Sequence, residues 1–247
     1  MNRARCFVFL FFLSTLLVFS RIVSAQNAGS LQYQFQPNQL FCYRLDLRHE
    51  VKMSGGAGQD LPVVTKITFQ AAVRTVEVDS VGIATLEARV EGFSTATTIG
   101  SKETVSPVSA ADQTVQFRVG SSGLLPGQEA LGGSSGLPWD LFLSQVFPDL
   151  TRCQYLGPAI FNGKPCAQIE FAVVAPSSAR SEKSGAAQTK GYNQGKGKGL
   201  FADGHLVSGE TQGSVDVGYN VFSPDRSSAP TKVAAKGTFS SRLSLLP

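Results

Sequence analysis

The segment FCYRLDLRHEVKM, residues 41–53, alternates between two kinds of side chain along its whole length. The odd positions are apolar except for His49, and the even positions are polar or charged except for Cys42. Because successive side chains of a β-strand point to opposite faces, this period predicts one long strand with a dry and a wet face. His49 is therefore predicted to lie on the dry face.

The same alternation recurs further along the chain. KITFQAAV, residues 66–73, keeps its apolar side chains on odd positions, whereas Val76 and Val78 carry the pattern on even positions. A β-bulge near Arg74 and Thr75 accounts for this change of phase. The segment TKVAAKGTFSSRLSLL, residues 231–246, alternates again.

Turn signals separate the alternating segments. DSVG lies at 79–82, FNGK at 161–164 and ADGH at 202–205. Asn-Gly and Asp-Gly are the strongest short signals for a two-residue hairpin, and strands joined by short turns are antiparallel. The pattern predicts nine to eleven strands, several of them longer than usual.

A single segment is typical of a helix. LPWDLFLSQVFPDL starts with a proline that a first helical turn tolerates, and Pro148 ends it. We expect a short covering helix near 138–147; the alternative is an irregular apolar connection. The predicted fold is mainly β: a long-stranded, curved antiparallel sheet, as a half-barrel or open barrel, with this helix on its dry face. A plain β-sandwich is the competing architecture.

The first 25 residues are typical of a secretory signal peptide. Arg3 and Arg5 precede the uncharged apolar run FVFLFFLSTLLVF, and Val23 and Ala25 stand where signal peptidase requires small residues. The alternative is a membrane anchor, which needs about 20 apolar residues, and Arg21 interrupts the run too early. We expect export, to the periplasm or outside the cell, with cleavage before Gln26 and no transmembrane segment in the mature chain.

Cleavage would change the charge balance. Removing residues 1–25 lowers the Lys and Arg count from 22 to 19, against 18 Asp and Glu. A nearly neutral, exported chain gives no electrostatic case for binding nucleic acid. Residues 26–247 suffice for a single β-rich domain with a sizeable core.

Two stretches have the composition of flexible loops, near 100–112 and near 175–199. The second contains GKGKG and carries five Lys or Arg against one Glu. It is either a solvated loop or a basic arm for an anionic surface. GKGKG lacks the spacing of a phosphate-binding loop.

Three cysteines follow the signal segment: Cys42, Cys153 and Cys166. An odd number leaves at least one thiol unpaired within a monomer. If Asn162 and Gly163 close a hairpin, Cys166 faces Ala159 and not Cys153. A bridge between Cys153 and Cys166 would then require a break in the strand pairing.

The sequence gives little support for catalysis. GGSSG, residues 132–136, matches the nucleophile motif G-x-S-x-G around Ser134, but no buried strand leads into it. Neither histidine, His49 or His205, is placed as a base. The acids Asp46 and Glu50 alternate with arginines, as on a solvated face. We therefore predict a protein that is not an enzyme, with no catalytic, cofactor-binding or metal-binding residues.

Three segments carry a resemblance. The opening LQYQFQPNQLFCYRLDLRHEV, the hairpin VEVDSVGIATLEARVEGF and the segment GLFADGHLVSGE resemble a group of secreted β-rich bacterial proteins of unknown function, of the planctomycete type. This resemblance implies a secreted β-fold and supplies no catalytic residues. At the level of fold, the chain is also similar to half-barrel lipoprotein carriers of the bacterial envelope, which hold acyl chains on the concave face.

Two classes of function follow. One is a non-catalytic envelope protein, structural or interacting through its loops and sheet edges. The other is a carrier of an apolar, lipid-like ligand between sheet and helix. Eight aromatic residues would line that trough or equally fill an ordinary core: Phe41, Tyr43, Phe69, Phe117, Trp139, Phe142, Phe171 and Phe239. The difference between the two is whether the dry face is packed or leaves a cavity.

Overall fold

The structure is a computed structural model that describes residues 31–54, 60–107, 113–125, 137–176, 187–221 and 231–247. Within them the chain forms eleven β-strands, all in one antiparallel sheet, and one short α-helix. The strands are β1 (Leu40–Ser54), β2 (Leu61–Val78), β3 (Ala84–Ile99), β4 (Lys102–Pro107), β5 (Thr114–Gly120), β6 (Gly123–Leu124), β7 (Gln154–Phe161), β8 (Lys164–Pro176), β9 (Ala187–Ala202), β10 (His205–Val221) and β11 (Thr231–Leu246). The helix is α1 (Trp139–Val146).

The sheet is strongly curled into a half-barrel, as the alternation predicted. Its strand order is β6-β5-β3-β2-β1-β11-β10-β9-β8-β7, and β4 pairs with β3 beside this path. Two meanders, β1–β3 and β7–β10, are therefore joined by β11, which pairs with both β1 and β10. A β-sandwich is excluded because the described strands form one sheet.

The predicted strand faces are confirmed. Tyr43, Leu45 and Leu47 are buried, whereas Arg44 and Arg48 are exposed. The face that carries the buried side chains and the helix is called the inner face, and the opposite one the outer face. The predicted bulge is also present: the pairing of β2 with β3 shifts between Thr75 and Glu77, and again between Gln70 and Ala71.

The hairpin turns form where the sequence predicts them. Asn162 and Gly163 have φ values of 49° and 77°, and Asp203 and Gly204 have φ values of 50° and 78°. Positive φ at both central residues is the geometry that Asn-Gly and Asp-Gly adopt readily in a two-residue hairpin. These turns fix the registers of β7 with β8 and of β9 with β10.

Helix α1 confirms the helix predicted near 138–147. It starts after Pro138 and ends before Phe147, and most of its side chains are buried. Its aromatic side chains pack on the inner face of β1 and β2, while Gln145 reaches β10 and β11. The helix therefore crosses the inside of the half-barrel. A 3₁₀ helix, Leu150–Arg152, follows it.

Glycines allow the sheet to curl. A Cβ at Gly213 of β10 would lie 2.2 Å from the carbonyl oxygen of Gln194, and one at Gly237 would lie 2.0 Å from that of Glu50. Adjacent strands thus bend so closely that no side chain fits at these positions. On β9, the ring of Phe171 occupies the space over Gly197 and Gly199.

The segment before β1 connects the β5–β6 turn with the β9–β10 turn. The amide of Tyr33 donates to the carbonyl of Ser121 (2.9 Å), and the amide of Gln34 donates to that of Gly204 (3.2 Å). The Tyr33 hydroxyl donates to the carbonyl of Pro148 at 3.2 Å. Tyr33 is buried, and its ring contacts those of Phe147 and Phe201.

Both predicted flexible loops are largely wrong. Within 100–112, residues 102–107 form β4, and within 175–199, residues 187–199 belong to β9. Glycine and lysine gave the second stretch the composition of a linker. In the structure the inner-face glycines permit curvature, while Lys196 and Lys198 face solvent. Residues 108–112 and 177–186 lie outside the described residues.

Candidate functional site

A polar groove of about 440 Å³ lies on the outer face, across the four central strands β2, β1, β11 and β10. We call it the outer groove. The side chains that line it come from even positions of each strand: Asp46, Arg48, Lys66, Thr68, Glu210, Gln212, Ser240 and Arg242.

A second depression, of about 340 Å³, continues the outer groove toward β8. It is lined by polar residues that include Gln168, Lys198 and Ser208, and it shares Glu210 and Arg242 with the outer groove. The two depressions together therefore run from β2 to β8, with apolar Leu200 among the residues that line the second.

One row of side chains across this surface alternates in charge. The strand registers pair Asp46 with Arg242, Arg242 with Glu210, Glu210 with Lys198, and Lys198 with Glu170. Neighbouring strands lie about 4.8 Å apart, so the row places five charges of alternating sign on consecutive strands.

Ion pairs hold in place Arg242, which lines the groove, and Arg44, which lies beside it. The guanidinium of Arg44 donates two hydrogen bonds to the carboxylate of Asp46, both at 2.9 Å. Arg242 donates two to Oε1 of Glu210, at 3.1 and 2.7 Å. The Thr68 hydroxyl also donates to Asp46, at 2.9 Å. Such bonds order the side chains and add little stability where they face solvent.

The environment of Asp46 favours its charged form. Partial burial alone would raise the pKa of Asp46, but the hydrogen bonds from Arg44 and Thr68 outweigh it and keep the pKa below its ordinary value. A carboxyl group that stays ionised is a poor general acid. The arrangement therefore suits recognition of a charged surface better than proton transfer.

The eight aromatic residues predicted on the dry face lie on the inner face or on α1. Seven of them are buried, and Phe41 is partly buried. The ring of Phe69 lies 5.0 Å from that of Trp139 and 5.1 Å from that of Phe142, in edge-to-face contacts. Beneath the helix, these side chains fill the half-barrel by packing on one another.

His205 is buried and His49 is partly buried, and the rings of both pack against aromatic side chains. Burial lowers the pKa of His49 to about 4, and its ring contacts that of Phe239. Burial also lowers the pKa of His205 to about 4, although nearby Asp203 acts in the opposite direction. The ring of His205 packs 4.1 Å from that of Phe41, and its Nε2 lies 3.3 Å from Nε2 of Gln39.

The three cysteines are free thiols. Cys166 faces Ala159, as the hairpin register predicted, and is buried. Cys153 precedes β7, and its thiol contacts the carbonyl of Asp149 at 3.3 Å. Burial and the charge of Asp149 raise the pKa of Cys153 to about 11. This thiol is therefore protonated at neutral pH and is a weak nucleophile.

Ser134 and its GGSSG motif lie outside the described residues, so its assignment as a chance match stays a prediction. Among the described residues, no group of three or more His, Cys, Asp or Glu side chains could hold a metal ion. In the same part of the chain, no helix is long and apolar enough to cross a membrane.

Two features of the surface and core were not predicted from the sequence. The first is the outer groove. The alternation placed Arg44, Asp46 and Arg48 on the polar face of β1. It did not show that Glu210 and Arg242 of other strands lie beside them. The second is Gln145, a buried polar residue on the apolar helix. A glutamine within LFLSQVF was a signal that could have identified it.

No protein-family model matches the chain, and no curated protein matches it significantly.

Proposed function

We propose that this protein is an exported, non-catalytic interaction module that binds a partner protein through the outer groove. The observation that carries the proposal is the alternating row of charges from Asp46 to Glu170, which crosses two adjoining depressions on the outer face. The signal-like segment 1–25 supports export. The partner is expected to be another envelope protein.

The geometry favours a protein partner of mixed charge. Arg242 and Lys198 alternate with Asp46, Glu210 and Glu170, so the row gives neither an anionic nor a cationic ligand a uniform field. A surface with the complementary alternation would place opposite charges together, and a shift by one strand would place like charges together. Such a pattern contributes specificity more than affinity.

Site-specific photo-crosslinking in the producing cell tests the proposal. A photoreactive residue replaces Ser240, inside the groove, and in a matched control it replaces Val81, which is exposed in the β2–β3 turn. We expect a discrete protein adduct from position 240 and none from position 81. Equal adducts from both positions, or none from position 240, would contradict the proposal.

Exchanging two charges tests whether the alternating row from Asp46 to Glu170 determines partner binding. The double variant Glu210→Arg with Arg242→Glu keeps an ion pair across β10 and β11 while inverting two charges of the row. We expect it to fold normally and to lose the adduct from position 240. An adduct of unchanged yield would show that the alternating charges do not determine binding.

A further inference from the structure

Strand β8 has an open edge over part of its length. It pairs with β9 over residues 167–176, but β7 pairs with it only over residues 164–170. Among the described residues, positions 171–176 therefore have a hydrogen-bonded neighbour on one side only. We call residues 171–176 the open edge. An unpaired edge presents N–H and C=O groups to which a further strand can add.

The Asn-Gly turn shows which residues of β8 direct their backbone groups away from β9. Alternate residues of an antiparallel strand hydrogen-bond to opposite neighbours. Phe161 and Lys164 face each other across the two-residue turn, and the pair that closes such a turn is hydrogen-bonded. Even positions of β8 therefore bond on the β7 side. On the open edge these even positions are Ala172, Val174 and Pro176.

The close approach of β9 to β10 gives the same assignment. A Cβ at Gly213 would lie 2.6 Å from Cα of Gly195, which marks a pair without mutual hydrogen bonds. Gly195 then bonds to its partner on β8, which is Val173. Odd positions of β8 are thus used by β9. The N–H and C=O groups of Ala172 and Val174 therefore point to the open side.

The open edge is accessible and carries no charge. Ala172 is exposed and Val174 is 55% exposed. The odd positions 171, 173 and 175 are buried on the inner face. The segment FAVVAP contains no Asp, Glu, Lys or Arg, and its single proline is its last residue. A further strand can therefore approach the backbone of Ala172 and Val174 without meeting a charge.

Strand β7 shows how another part of the same edge is protected. Gly157 has a φ of 139°, and the pairing of β7 with β8 shifts between Tyr155 and Gly157. Pro158 follows and has no N–H. Bulges, prolines and charges are the usual devices that keep edge strands from pairing. Strand β7 has two of these devices, whereas residues 171–175 have none of them.

We propose that the open edge pairs with the open edge of a second copy of this chain, antiparallel about a two-fold axis at Val174. Val174 of each copy then faces Val174 of the other and exchanges both backbone hydrogen bonds with it. The amide of Ala172 donates to the carbonyl of Pro176 of the other copy, and Pro176 has no N–H to leave unpaired. The two half-barrels become one continuous sheet.

The second copy is the occupant because the open edge complements itself. In this register apolar positions meet apolar positions, Val174 with Val174 on the outer face and Val173 with Ala175 on the inner face. At about 3.4 Å per residue, the two copies of Glu170 lie about 27 Å apart along the strands. Glu170 is also paired with Lys196 of its own copy, at 3.5 Å. The register therefore brings no like charges face to face.

The interface is closed and small. Strand β7 ends opposite Glu170, so residues 172–176 can pair without meeting it. A two-fold pair uses both open edges and leaves neither for a third copy. Because one strand edge per copy buries little area, we expect a dimer that dissociates at micromolar concentration. This contact lies at the edge of the sheet and does not depend on the function of the outer groove.

Sedimentation velocity of the full chain, produced with export and purified without detergent, tests the proposal. Between about 1 and about 100 μM, we expect a reversible shift from monomer to dimer and no larger species. A chain that stays monomeric throughout would overturn the proposal and leave the open edge to a strand of another protein. Oligomers that grow with concentration beyond the dimer would also overturn it.

A lysine on the axis tests the position of the interface. In Val174→Lys the new charge meets the same charge of the other copy, so dimerisation should weaken at least about tenfold. The matched control is Val105→Lys on edge strand β4, where Val105 is 64% exposed, and it should leave the dimer unchanged. Circular dichroism checks that both variants fold. Equal weakening in both, or none in Val174→Lys, would contradict the proposal.

A disulfide tests the register. A hydrogen-bonded pair places its Cα atoms about 5.5 Å apart, within the range of a disulfide. Under mild oxidation, Val174→Cys should give a covalent dimer linked at position 174, identified by mass spectrometry of the linked peptide. Ala172→Cys is the control, because the two copies of position 172 lie about 14 Å apart along the strands. Absence of the link at 174, or an equal link at 172, would overturn the proposal.

Discussion

The two meanders reach the same curled shape with opposite kinds of residue. In β1–β3 the inner face carries large side chains, among them Tyr43, Leu45 and Phe69, all almost fully buried. In β9 the inner face is largely glycine, and Gly195 of this strand is directly paired with Gly213 of β10. The first meander gains stability from burial, and the second gains curvature from the absence of side chains.

Removing a large ring from the aromatic meander should have the largest effect. Phe69→Ala deletes a ring that contacts Trp139 and Phe142, and it leaves a cavity under the helix. We expect the free energy of unfolding to fall by about 3–5 kcal/mol, measured by urea denaturation with circular dichroism. Phe93→Ala is the control, because Phe93 is only partly buried and should cost less. Equal losses would contradict the packed core described here.

Adding one methyl group to the glycine meander should be nearly as harmful. In Gly213→Ala the new Cβ would lie 2.2 Å from the carbonyl oxygen of Gln194, so the strands must separate. We expect a loss of about 3 kcal/mol. Gly209→Ala, on the same face of β10, meets its nearest atoms at 3.6 Å and should be tolerated. If both variants are equally stable, glycine does not set the curvature.

Acid should weaken each region through its buried histidine. His49 lies in the aromatic meander and His205 at the start of β10, and burial lowers the pKa of each to about 4. Unfolded histidine titrates near pH 6.5, so between about pH 6.5 and 4 the unfolded chain binds protons that the folded chain does not. Stability is therefore present above this range and is lost as the pH falls through it.

The expected loss is on the order of 2 kcal/mol for each histidine. Denaturation midpoints at pH 7.5, 5.5 and 4.5 would measure it, and the neutral replacements His49→Gln and His205→Gln should each flatten the slope. A slope that both replacements leave unchanged would assign the acid sensitivity to other groups.

The smallest effect is expected on the outer face, which spans both meanders. Arg242 and Glu210 are paired across β10 and β11, but their side chains are 69% and 68% exposed. A double-mutant cycle with Arg242→Gln and Glu210→Gln should give a coupling energy below about 1 kcal/mol. A much larger value would mean that the outer groove stabilises the fold and is not only a surface for recognition.

The contrast between meanders also explains which parts of the fold were predictable. Apolar–polar alternation and turn-forming residues are local features of the sequence. For this reason β1, the bulge after Arg74, the Asn-Gly and Asp-Gly hairpins and helix α1 could be predicted. The flexible loop predicted near 175–199 was wrong over residues 187–199, because glycine has a low intrinsic preference for strands and gave this stretch the composition of a linker. Residues 187–199 belong to β9 because they pair with β8 on one side and with β10 on the other, and because their glycines fit the curvature of the sheet.

The outer groove was only partly predictable for a related reason. The polar positions of β1 were evident, but their neighbours on β11 and β10 come from the far end of the chain. Strand order depends on contacts between distant segments, and period-two patterns do not encode which strands become neighbours. The buried position of Gln145 was not predicted. A helical pattern shows which face of the helix is apolar, but it does not show that a glutamine on the helix will accept hydrogen bonds from the hydroxyls of Thr211 and Ser241.

The central place of β11 has a consequence for folding. The strand follows the other described strands in sequence, yet it pairs with both β1 and β10 and joins the two halves of the sheet. Until residues 231–246 emerge during synthesis, each meander would present an unpaired edge to the solvent or to another chain. Contacts between such distant segments form slowly. The step that commits the chain to its native form is therefore expected to be the late insertion of one strand between two preformed halves.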